Sequence, residues 1–156
     1  MKKVFFIFLF LTFLGLLSFS LFNISAVVGS AMEPTIKSGQ TVIFRKFGAN
    51  NPRRGDMVLY QGQNQMDNIG RVVGLPTESV RIENGNLYLD NNAGQYRVEE
   101  EYLAPNTKTS ASEEGQWVKI GEFQYLILTD KRENSISISS RFVNRNDIKG
   151  ILFLKF

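Results

Sequence analysis

The sequence predicts a mainly β protein, a compact domain of short antiparallel strands behind one N-terminal transmembrane helix. Three observations predict it. Residues 4–22 form a run of 19 residues without a charge. Beyond them, six short segments rich in β-branched and aromatic residues alternate with Gly, Pro, Asn and Asp turn signals. No long amphipathic helix, internal repeat or low-complexity tract interrupts that pattern.

The first element is the apolar run from Val4 to Phe22, broken only by Thr12, Gly15, Ser18 and Ser20. It holds seven of the 13 Phe residues. As a helix it measures about 28 Å, close to the hydrocarbon thickness of a bilayer. Lys2 and Lys3 precede it, and no charge follows until Glu33. The positive-inside rule then keeps the N-terminus in the cytoplasm and sends the remainder outward. A cleaved secretory signal is the competing reading, with weak cleavage sites at Gly29 and Ala31 or near Ala26. Signal h-regions are shorter, about 7–15 residues, so an uncleaved anchor is expected. The expected division is residues 1–23 for the Lys pair and anchor, and 24–156 for an extracytoplasmic β domain. The chain is thus expected in the cell membrane as a single-pass protein, with membrane lipid as its first partner. Apolar Ile24, Val27 and Val28 leave no polar linker, which keeps the β domain close to the membrane.

The strand candidates follow in order: Thr41–Phe44, Met57–Tyr60, Arg71–Gly74, Ser79–Ile82, Asn86–Asp90 and Tyr125–Leu128. Turn signals at Lys37-Ser38-Gly39, Asn51-Pro52, Arg54-Gly55-Asp56 and Leu75-Pro76 separate them. Asn84-Gly85 joins the fourth and fifth as a hairpin. Residues 106–116 are polar and read as a mobile loop. So many short strands in one domain suggest a sandwich or barrel, large enough to bury a core without metal or disulfide.

Composition excludes several kinds of chemistry. The 156 residues contain no His and no Cys. No Ser-His-Asp triad can form within the chain, and neither can a thiol nucleophile, a disulfide or a His- or Cys-based zinc site. No cofactor or metal is expected. The net charge of +3 falls to +1 once Lys2 and Lys3 are set aside, and Arg53-Arg54 is only a pair. A nucleic-acid partner is therefore not expected. Acid–base work is left to Lys, Asp, Glu, Ser, Thr and Tyr.

Val28-Gly29-Ser30-Ala31-Met32-Glu33-Pro34-Thr35-Ile36 resembles the nucleophile box of type I signal peptidases, membrane-anchored Ser/Lys proteases that cleave leader peptides. The likeness continues in order. Lys37–Ile43 is similar to the strand that follows that box, and Arg54-Gly55-Asp56-Met57-Val58 to the next strand entry. Asn68–Pro76 is similar to the general-base box. Asn86–Asp90 and Glu101-Tyr102-Leu103 resemble segments that follow it. Leu128–Ser135 resembles the G-D-N-R-x-N-S box, and Asp147–Gly150 the closing I-x-G.

The chain departs from the family at the positions that carry the chemistry. The family's nucleophilic Ser precedes the Met of its first box, and here that residue is Ala31. Its general-base Lys precedes the Arg of the second, and here that residue is Gly70. The usual D-S-R of the third box appears as Ser137-Ile138-Ser139 or Ser139-Ser140-Arg141, without its carboxylate in either alignment. Ser135 stands where the family's hydroxyl supports the catalytic amine. Ala31 has no hydroxyl to attack with, and Gly70 has no amine to take the proton. Losing both members of such a unit removes nearly all the chemistry, so the catalytic set is expected to be empty. Ser30 is a neighbouring hydroxyl, but in extended chain it faces away from Ala31. Its base would have to be Lys37, Lys46, Lys119 or Lys131, none of which follows from spacing.

The resemblance then implies two functions. One is a pseudo-peptidase that holds an extended peptide by β-augmentation without cutting it. Its groove would be lined by Gly29, Ser30, Met32, Pro34 and the strand Met57, Val58, Leu59 and Tyr60. Arg71, Asp130, Arg132 and Ser135 would be structural neighbours of the site. Degenerate proteins of this kind in Gram-positive streptococci are thought to assist pilin assembly beside a sortase, which makes secreted surface proteins and pilins the implied partners. The other is a working signal peptidase with Ser30 as displaced nucleophile. The run Glu99-Glu100-Glu101 reads as a solvated face. Phe142, Phe153 and Phe156 read as core or membrane-facing residues.

Overall fold

A computed structural model of the protein describes residues 2–132 and 135–156, with the side chains at 2, 4, 14 and 16–19 also outside the description. The N-terminal helix α1 covers Lys2–Leu21. Among the described residues, no helix is long and apolar enough to cross a membrane. Eight described apolar side chains between Phe5 and Phe13 are each more than half exposed, so no described residue covers this stretch of the helix.

Among the described residues eleven strands follow: β1 (Phe22–Ala26), β2 (Thr41–Arg45), β3 (Met57–Gln61), β4 (Asp67–Gly74), β5 (Ser79–Glu83), β6 (Asn86–Asn91), β7 (Gly94–Arg97), β8 (Val118–Lys119), β9 (Gln124–Leu128), β10 (Phe142–Asn144) and β11 (Ile148–Lys155). They form a seven-stranded sheet in the order β1-β2-β11-β3-β4-β9-β10 and a four-stranded sheet in the order β7-β6-β5-β8. Every pairing between these strands is antiparallel.

The six expected segments all lie in strands. α1 stops at Leu21, and Phe22 and Asn23 pair with Arg45 and Phe44, so the boundary expected after residue 23 falls inside β1. Asn84 and Gly85 both take positive φ, 52° and 81°, and close the hairpin with Glu83 opposite Asn86. Two central positive-φ residues give a turn whose twist matches that of its strands.

β9 and the second half of β4, from Gly70 to Gly74, are buried on both faces, which is why neither alternates between apolar and polar residues. Val73, Leu126 and Leu128 face Val80, Ile82, Leu87 and Leu89 of the small sheet. On the opposite face Val72, Tyr125 and Ile127 pack with Val58, Ile148 and Ile151. A third cluster joins Val27, Met32 and Ile36 to Val42, Phe44 and Leu59, and it anchors the segment that carries Ala31.

Residues 106–116 are not the loose loop expected. Thr109 donates its amide to the Gly85 carbonyl and Gly115 to that of Ile82, and Ala111 bridges Ile136. Glu113 fastens the far side, accepting from the Ser112 and Ser137 hydroxyls and the Ile138 amide. The Ser112 and Ser137 bonds hold its carboxyl below the ordinary value of 4.5. A carboxyl depressed in the folded state contributes stability above its unfolded value and loses it as pH falls through the folded one. Protection of the Ile138 amide, its exchange rate relative to that of the unfolded chain at the same pH, is therefore expected to hold above pH 4.5 and to fall below it. Glu113→Gln should remove that acid step. An unchanged step in the variant would place its origin elsewhere.

Candidate functional site

Residues 27–36 form a folded turn instead of an extended strand. Gly29 takes φ +92°, the Glu33 amide bonds the Ser30 carbonyl at 3.0 Å, and the Ile36 amide bonds that of Met32 at 2.8 Å. Met32 and Ile36 point into the third core cluster and fix the turn from below. Ala31 is left exposed at its crest, and its carbonyl accepts the Lys131 amide at 3.0 Å. Because the chain turns here, side chains do not alternate. Ser30 and Ala31 line the same pocket of about 340 Å³, contrary to the expectation that Ser30 faces away. The Lys131 ammonium donates to Ser30 Oγ at 3.2 Å.

Gly70 lies on β4 opposite Val58, buried between β3 and β9. A Cβ there would lie 2.5 Å from Ile127 Cγ2 and 3.3 Å from both Tyr60 Cε1 and the Leu128 carbonyl oxygen. The space a side chain would need is therefore already filled. Gly70 is not among the residues that line the pocket at Ala31 or the trench beside it.

That trench, of about 470 Å³, runs along residues 23–29 and reaches Ala31, Met32, Leu59 and Tyr60. Its far wall is Asp67, Asn68, Ile69, Thr129 and Arg141. Of the residues expected to line a groove, Gly29, Met32, Leu59 and Tyr60 meet here, and Ser30 lines the adjoining pocket. Val58 points into the core on the other face of β3, Met57 packs on the third cluster, and Pro34 is exposed beyond the trench. Sequence reading missed β1, and it met Arg141 only as the end of one alignment of the degraded third box, not as a residue of the groove. The signal for β1 was present in Phe22–Ala26 but was absorbed into the apolar run. Arg141 lies in a short 3-10 turn, Ser139–Arg141, with no periodic pattern to mark it.

Beneath Ala31 lies a buried ionic network. Arg71 makes two bonds to Asp130, at 2.9 and 2.6 Å, and a third to the Gly55 carbonyl. Thr35 donates to the same carboxylate at 2.5 Å, which ties the turn to β4. The Tyr102 ring lies 3.9 Å from the Arg71 guanidinium carbon. Arg132 joins neither; it pairs with Glu100 at 2.6 Å and donates to the Thr129 carbonyl. Glu100 therefore leaves the solvated face expected of the Glu99–Glu101 run. Burial raises the Tyr102 hydroxyl pKa well above its ordinary value, and the Glu100 charge and hydrogen bond add to the rise. Ser135 is exposed, and Glu133 and Asn134 of the same box lie outside the described residues.

The model of the family described as signal peptidase, peptidase S26, matches residues 1–156. The chain belongs to this family. Among curated relatives, the probable signal peptidase I-2 of Synechocystis is 33% identical over 140 residues, covering 83% of this chain and 61% of its own length. Signal peptidase I P of Bacillus subtilis subsp. natto is 28% identical over 147 residues, covering 87% of this chain and 77% of that protein. The chain thus spans less than two thirds of the Synechocystis signal peptidase. The crystal structure of a signal peptidase I from Enterococcus faecalis V583 superposes with a TM-score of 0.51 at 21% identity, over 66% of this chain and 97% of that one. The likeness in fold is to the β architecture of a signal peptidase I.

Proposed function

We propose that this chain is a non-catalytic member of the signal peptidase I family, anchored in the membrane by α1. It holds an extended segment of a secreted surface protein, pilin subunits above all, for assembly beside a sortase. The observation that carries this reading is Gly70. It stands where the family's general base is expected, and its side-chain space is taken by Ile127 and Tyr60. Ala31 removes the hydroxyl at the crest of the turn.

The holding role is supported by β1. It is one of the two edge strands of the seven-stranded sheet, so its outer N–H and C=O groups have no strand partner among the described residues, and it forms one wall of the trench. An extended peptide can add there as a further strand. The bare apolar face of α1 supports the anchor. So do the Phe22, Phe47 and Phe153 rings, in contact at its foot with centroids 5.6 and 6.0 Å apart.

The test has two arms. Full chain in lipid nanodiscs should capture secreted surface proteins in a pulldown and leave a leader peptide intact. A deletion strain should fail to polymerise pili. Normal polymerisation in that strain would sink the assembly role.

One observation favours the second reading, an active peptidase with Ser30 as nucleophile: Lys131 Nζ stands 3.2 Å from Ser30 Oγ. A neutral amine there could take the hydroxyl proton as Oγ adds to the carbonyl. This reading requires leader-peptide cleavage by the wild type and its loss in both Ser30→Ala and Lys131→Met.

A further inference from the structure

Arg141 stands where three cavities meet. It lines the trench beside β1, the pocket at Ser30, and a third cavity of about 750 Å³ beyond Tyr60 that is rich in Gln and Asn. The Arg141 side chain is exposed and has no hydrogen-bond or carboxylate partner among the described residues. Its charge is felt locally: burial raises the Tyr60 hydroxyl pKa, and Arg141 draws it part of the way back.

The pocket at Ser30 carries Lys131, Arg132 and Arg141 and the hydroxyls of Ser30 and Thr129, with no Asp or Glu among its described lining residues. Arg132 is already answered by Glu100, as Arg71 is by Asp130. The cation that can take a new partner is Arg141, with Ser30 and Lys131 across the pocket. A guanidinium offers a planar fork of N–H donors that matches a carboxylate in two parallel bonds, each stronger than a neutral one.

The geometry points to a carboxylate-binding subsite at Arg141, so that the trench selects extended peptides bearing an acidic group at that junction. The inference rests on the trench being a peptide holder. The group can be a Glu or Asp side chain or the peptide's own C-terminal carboxylate; both present the same two oxygens.

The experiment uses full chain in nanodiscs and three fluorescent alanine–serine–valine peptides read by anisotropy. One has a single central Glu with both ends blocked, one has Gln in its place, and one is the Gln peptide with a free C-terminal carboxylate. At least one carboxylate peptide is expected to bind about tenfold more tightly than the blocked Gln peptide. Which of the two gains identifies the source. Arg141→Gln should erase the advantage, and Arg141→Lys should keep part of it as a point charge. Equal binding of all three peptides overturns the subsite and leaves the holding role standing. So does an advantage that survives Arg141→Gln. Binding of none of them overturns the holding role and the subsite together.

Discussion

Replacing Gly70 by alanine is expected to destabilise the domain by about 1–3 kcal/mol, the usual cost of forcing an extra methyl into a filled core. The new Cβ would sit 2.5 Å from Ile127 Cγ2. That methyl is one bond from a branched Cβ, so it cannot swing aside without moving the whole side chain. Ile127 is itself buried among Val58, Val72 and Tyr125. Ile127→Ala alone should cost about 2–5 kcal/mol through the cavity it leaves. The double variant should cost clearly less than the sum, since each change relieves the other; a coupling of about 1 kcal/mol or more is expected. Urea denaturation of the four proteins gives the cycle. A neutral Gly70→Ala, or strict additivity, would mean that the place is not filled. The same contact sets the expectation for restoring chemistry. Ala31→Ser with Gly70→Lys should yield no leader-peptide cleavage, because the lysine stem must displace Ile127 and Tyr60 before its amine reaches the turn.

Asp130→Asn is expected to cost more, about 3–5 kcal/mol, because it strips a buried guanidinium of its counter-charge. The Asp130 side chain is fully buried and that of Arg71 only 9% exposed, so water cannot take over. Thr35 loses its charged acceptor in the same step, which loosens the turn at Ala31. Arg71→Met should be similarly costly, leaving a buried carboxylate with the Thr35 hydroxyl alone. The double variant Arg71→Met/Asp130→Asn should recover a large part of the loss, since no isolated charge remains. Thermal melts of the three variants decide it. Single variants that each lose less than about 1 kcal/mol would show the pair to be no more than a surface contact.

How far the sequence could be read follows from where each signal lives. Asn84-Gly85 is a local signal with one main structural meaning, and the hairpin formed where expected. β9 and the end of β4 were visible without alternation because both their faces are buried. β8 and β10 were not visible, since strands of two and three residues carry no periodicity. β11 was missed because Lys149, Gly150 and two register shifts interrupt its pattern. At the site, Arg71, Asp130 and Arg132 were expected together as structural neighbours; Arg71 pairs with Asp130, and Arg132 turns to Glu100 instead. Glu100 comes from a loop that no local pattern joins to residue 132. The pocket at Ser30 depends on the chain turning at Gly29. Alternation alone predicts the opposite face.

α1 passes into β1 without a linker, and β1 leads to the turn. Ala31 therefore lies ten residues from the last helical residue, Leu21. A chain extends by at most about 3.6 Å per residue, so the crest of the turn cannot stand more than about 36 Å from the end of the helix. If α1 is embedded as proposed, this short connection would be a fixed tether. On the proposed holding role, segments of a client still close to the bilayer would come within its reach, whereas more distant portions of the same client would not. The reach of the domain, as much as its pockets, would then set when a client could be held.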